Sequence, residues 1–178
     1  MQAVNSQNQP KGECMSGNLI SKIDKKLLSL IYFGMPIEAV DGSEIFVKSK
    51  DFFYVTPSFI NTYAGGHSEP RERAIAIGLR LNREATFEQM FSSLREHIED
   101  LAFTESQVIN FLKKNHSWMN TRRTTYFPFR YRDQVCVAAV FQNANRTAFG
   151  VDVYTFNDKT VWPAVFDSCI VIQWKKFV

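Results

Sequence analysis

The sequence predicts a single α+β domain, an antiparallel β meander in the C-terminal third packed against about three helices. Three observations carry that prediction. Apolar residues recur at helical spacing in parts of the first two thirds, two capping boxes mark helix starts at Thr86 and Thr104, and apolar runs joined by turn residues dominate after residue 124. A chain of 178 residues that is 45% hydrophobic can bury a full core without metal or disulfide staples. Its 16 phenylalanines imply that much of this core is aromatic.

The first seventeen residues mix Gln, Asn, Ser, Gly and Pro10 without periodicity, so 1–17 is read as a disordered leader and 18–178 as the domain. A helix is expected over about 18–33, where Leu19, Ile20, Ile23, Leu27, Leu30 and Ile31 recur at helical spacing before Gly34 and Pro36 stop it. Short strands are expected at 43–48 and 52–56, turning at Ser49-Lys50-Asp51. Residues 61–70, with Gly65, Gly66 and Pro70, have loop chemistry. Strict alternation of Ile75, Ile77, Leu79 and Leu81 predicts a strand over 73–82.

Thr86 with Gln89, and Thr104 with Gln107, form capping boxes in which a hydroxyl accepts an orphan N–H and an amide reaches back. The first predicts a helix carrying Phe87, Met90, Phe91, Leu94, Ile98 and Leu101 on one face. The second predicts a helix with Val108, Phe111 and Leu112 inward, ending in Lys113-Lys114 at the negative end of its dipole. Strands are then expected at 124–130, 134–141, 149–156 and 168–174, with hairpin connections at Arg132-Asp133 and Asn143–Arg146. The run 135–141 is apolar on both faces, as in a strand covered on both sides, whereas 149–154 alternates as a half-exposed strand would.

Three scattered cysteines (Cys14, Cys136, Cys169) make neither a disulfide framework nor a thiolate cluster and suggest a reducing compartment. With no apolar signal segment and no run long enough to span a bilayer, a cytoplasmic location away from membranes is expected. Nucleotide-binding loops, nucleophile elbows, kinase motifs and zincin helices are absent, and no cofactor is implied.

Charge is unevenly distributed. Residues 1–103 carry a formal −2 and residues 104–178 a formal +5. Within 113–132 stand six cations and five aromatics. Lys113, Lys114, Arg122, Arg123, Arg130 and Arg132 suit phosphates, while Trp118, Tyr126 and Tyr131 suit base stacking. The expected function is therefore a small non-enzymatic nucleic-acid-binding protein. Alternation places Phe127 and Phe129 on a core face and Tyr126 and Arg130 on the other. The bland alternative is that these cations solvate sheet edges and these rings simply pack.

Two other functions remain open. The same rings and arginines suit a protein-interaction module or inhibitor, since Tyr, Trp and Arg are enriched at interface hot spots; a homodimer is one version. An enzyme would need a composite site in which His67, Glu69 and Arg71 converge. His97 and His116 are expected to be solvated, and Asp152, Asp158 and Asp167 to be ordinary edge and turn residues rather than metal ligands. Trp162 and Trp174 are expected to pack.

Overall fold

A computed structural model describes residues 23–49, 51–55, 68–119, 124–142, 148–164 and 168–174. The proposed leader 1–17 lies outside them. One mixed sheet of eight strands organises the chain: β1 (Leu28–Ile37), β2 (Phe53–Val55), β3 (Ala74–Leu81), β4 (Phe103–Thr104), β5 (Thr124–Tyr131), β6 (Gln134–Gln142), β7 (Phe149–Thr155) and β8 (Cys169–Trp174). Their order is β1-β3-β8-β5-β6-β7-β2, with β4 beside β5. Among the described residues three helices cover the sheet: α1 (Phe87–Ser92), α2 (Ile98–Leu101) and α3 (Glu105–Lys114).

The α+β class holds, but the strands are spread along the whole chain rather than gathered in its last third. The antiparallel meander is β5-β6-β7. β8 then crosses back to lie parallel to β5 and antiparallel to β3, joining the meander to the N-terminal strands. Both faces of the central strands are buried. Cys136, Ala138 and Val140 of β6 enter one core, with Val108, Phe111 and Leu112 of α3, whereas Val137 and Ala139 enter a second core with Phe87, Met90 and Phe91 of α1. This two-sided cover is what the doubly apolar run 135–141 predicts.

Pro128 sits inside β5, an unusual place for a residue that has no N–H to donate. It falls where the neighbour of β5 changes: β8 pairs Thr125 and Tyr126, and β4 pairs Phe129 and Arg130. A proline is tolerated in that gap.

The helix expected over 18–33 is overturned. Residues 28–37 form β1, paired antiparallel with β3 along its length, with irregularities between Leu30 and Tyr32 and between Phe33 and Met35. A short apolar run fits both periods, and pairing with β3 decides in favour of the β-branched and aromatic segment Ile31-Tyr32-Phe33. The expected strand at 43–48 is instead a 3₁₀ turn at Phe46–Lys48 after an irregular approach. The helix starting at Thr86 stops at Ser92, and the chain passes through Arg95 in the left-handed region (φ 55°) before one further turn, α2. Both capping boxes form as expected.

Candidate functional site

The cationic segment begins at the end of α3. Lys113 is held by an ion pair with Glu44, and Lys114 by one with Glu38 at 3.6 Å. Glu38 also pairs with Arg73 at 3.1 Å. Acids of the N-terminal half therefore neutralise the two lysines expected to meet phosphate. Arg122 and Arg123 lie outside the described residues.

The rings divide in the same way. Tyr126 is buried in the second core, 5.4 Å from the rings of both Phe87 and Trp162. Burial, the first cause, pushes its hydroxyl up to about 12. Tyr131 is buried in the first core. Neither ring offers a face to a base, which corrects their expected stacking role; β5 is covered on both sides, so alternation gives it no solvent face there. Phe127 and Phe129 do face the first core, as expected. Trp118 is half-buried, standing edge-on to Tyr32 at 5.3 Å and to Phe111 at 6.2 Å.

Arg130 and Arg132 lie at the β5–β6 hairpin, whose turn residue Arg132 has φ 52°. Arg130 donates from Nη2 to the Glu99 carbonyl at 2.7 Å, and the Arg132 guanidinium sits 5.3 Å from the Tyr131 ring centre. Both line a cleft of about 530 Å³ with Glu69, Glu99, Thr104 and Asp133. This cleft mixes signs and is no positive groove.

Of the composite catalytic set, His67 lies outside the described residues. Glu69 is exposed on the cleft rim, and the Arg71 backbone pairs with Val40. His97 and His116 are exposed. Among the described residues no group of His, Cys, Asp and Glu is placed to hold a metal ion, and Asp167 lies outside them. The Thr160 side chain first, and then its N–H, which Asp158 accepts at 2.7 Å, hold the Asp158 carboxyl below the ordinary range. Trp162 stacks on Phe87 at 5.1 Å, and Trp174 packs against the second core. Among the described residues, no helix is long and apolar enough to cross a membrane.

Two features escape sequence reasoning. The start of α3 is a buried polar knot. Phe46 N–H donates to Glu105 Oε1 at 2.6 Å, Ser106 N–H to Ser68 Oγ at 3.0 Å, and Ser106 Oγ to the Glu44 carbonyl at 2.6 Å. These bonds tie segments 44–46 and 68 to the helix. Only the Thr104–Gln107 box hinted at it.

The second feature is the outer side of β1. This strand ends the sheet, and among the described residues it pairs with β3 alone. Leu30 (37% exposed), Tyr32 (45%) and Phe33 (45%) project from it, and none of its ten residues is charged. Register assigns their faces. Leu30 and Phe33 pair with Leu79 and Ile77, which belong to the second core, whereas Tyr32 pairs with Gly78 on the Trp118 side. Rings thus flank this edge on both faces of the sheet. At the opposite end, β2 covers Phe53–Val55 among the described residues.

Comparison with known proteins finds no matching family model, no matching curated protein and no matching solved structure.

Proposed function

We propose that the chain is a non-enzymatic protein-interaction module that engages a second copy of itself through the outer edge of β1. The observation that carries this reading is the character of that edge: ten residues, no charge, and Leu30, Tyr32 and Phe33 exposed along it. A strand edge presents unpaired N–H and C=O groups, and monomeric proteins normally blunt such edges with short length or charge. β1 lacks both devices, although its two irregularities and Pro36 limit how many residues can pair. Self-pairing needs only one sequence, since two copies of the same strand related by a twofold axis meet antiparallel. Rings on both faces would flank the partner strand, and aromatic cross-strand pairs are a main source of sheet stability.

Light scattering across a concentration series tests this. The native chain is expected at twice its monomer mass, and Phe33→Lys or Tyr32→Lys at the monomer mass with an unchanged circular dichroism spectrum. A native chain that stays monomeric at high concentration, or dimers indifferent to both substitutions, would sink the proposal.

Nucleic acid is the lesser reading. It keeps Arg132, Arg122 and Arg123, but its lysines are engaged by Glu44 and Glu38, and Tyr126 and Tyr131 are buried. A gel shift at two ionic strengths separates the two. Phosphate neutralisation requires affinity that falls steeply with salt, whereas the β1 interface is uncharged and keeps its strength.

A further inference from the structure

The cleft beneath the β5–β6 hairpin is separate from the β1 edge, and its chemistry is specific. Arg130 enters from β5, Arg132 and Asp133 from the turn, Glu99 from α2, Thr104 from β4, and Glu69 from the segment before β3. Pairing fixes the floor: Arg130 lies beside Thr104 on one side and Val135 on the other. At about 530 Å³ the cleft falls within the range of small-molecule sites, roughly 300–1,000 Å³.

Two arginines and three acidic residues line it, yet among the described residues none of the five forms an ion pair. Arg130 is oriented by its bond to the Glu99 carbonyl, but its Nε is buried without an acceptor. Arg132 is positioned over the Tyr131 ring, which limits the freedom that binding would otherwise have to remove.

We propose that this cleft binds a small amino-acid-like zwitterion, its carboxylate on Arg130 and Arg132 and its ammonium groups toward Glu69, Glu99 and Asp133. A simple anion would meet three acidic residues, and a simple cation would meet two arginines. Because carboxylates outnumber guanidiniums, a ligand with one carboxylate and two ammonium groups balances the charge. L-lysine is the simplest such probe.

Calorimetric titration of the full chain with L-lysine, cadaverine, 6-aminohexanoate, glutarate and inorganic phosphate tests this. L-lysine is expected to bind most tightly, and cadaverine, which has no carboxylate, at least about tenfold more weakly, as loss of a charge-assisted contact implies. Arg132→Asn, which tolerates the left-handed turn, and Asp133→Asn should each weaken L-lysine by a similar factor with the fold intact by circular dichroism. The proposal is overturned by the absence of heat with L-lysine at millimolar concentration, by glutarate or phosphate binding as tightly, or by indifference to both variants. Oligomeric state has no bearing on these outcomes, so this proposal and the β1 interface fail independently.

Discussion

The Glu105 side chain accepts the backbone N–H of Phe46 at 2.6 Å, joining residues 59 positions apart in sequence. The bond fixes the 3₁₀ turn at Phe46–Lys48 against the first turn of α3, and it places a carboxyl group where water barely reaches. Burial raises the Glu105 carboxyl from 4.5 to about 7, against the smaller opposing pull of the Phe46 N–H.

That displacement makes stability depend on pH. The folded-state value lies above the ordinary one, so the stabilisation is fully present below pH 4.5 and is lost as pH rises through about 7. The loss amounts to about 3 kcal/mol at full ionisation. Glu105→Gln keeps an oxygen for the Phe46 N–H and removes the charge. Urea denaturation at a series of pH values should show the native chain weakening across this window, with Glu105→Gln flatter and more stable at pH 8. Parallel curves for the two proteins would refute the argument.

The two capping boxes share one geometry but differ in burial. Thr86 is half-buried and Thr104 is buried, and each accepts the N–H of the residue three positions on at 3.3 Å. Thr86→Ala is expected to cost about 1 kcal/mol, a typical cap loss. Thr104→Ala should cost about 2 kcal/mol, because the abandoned Gln107 N–H has no water to replace the hydroxyl. Chemical denaturation that ranks Thr86→Ala as the more damaging would contradict this.

Gly42 has φ 81°, and a Cβ there would meet the Ser68 carbonyl oxygen, the Glu69 carbonyl carbon at 2.8 Å and the Pro70 nitrogen at 2.9 Å. All three are backbone atoms, so no side chain can swing aside. Gly42→Ala is therefore expected to destabilise by about 2 kcal/mol or more, combining left-handed strain with a forced shift of 68–70. Since Glu69 belongs to the cleft rim, the same variant should weaken L-lysine binding. Thermal melting and titration of one preparation measure both effects.

Legibility followed the range of the interactions. The capping boxes, the Arg132-Asp133 turn and the strands of the meander rest on local signals and formed where expected. β1 did not, because Leu27, Leu30 and Ile31 fit a helical face as well as a strand until β3 supplies the partner. The strand expected at 43–48 gives way to a turn at Phe46 because the carboxylate that captures its N–H lies in another element. The basic-aromatic run misled for a related reason: composition shows that cations and rings are close in sequence, not that Glu44 and Glu38 reach across to Lys113 and Lys114. The exposed edge of β1 became visible only once the strand order was known.

Tyr126 separates the two meanings of an aromatic residue in a basic segment. Its ring contacts Phe87 and Trp162 in the second core, and its hydroxyl is hydrogen-bonded with Ser168. Removing the ring opens a cavity that the surrounding sheet and α1 cannot fill, so Tyr126→Ala should cost about 3–5 kcal/mol. Tyr126→Phe removes only the hydroxyl and should cost about 1 kcal/mol. A ring used for base stacking would give the opposite pattern, with alanine weakening nucleic-acid affinity at little cost in stability. Denaturation midpoints for the two variants, measured beside gel shifts at low salt, decide between these roles; a Tyr126→Ala protein as stable as the native chain would show that the ring is not a core element.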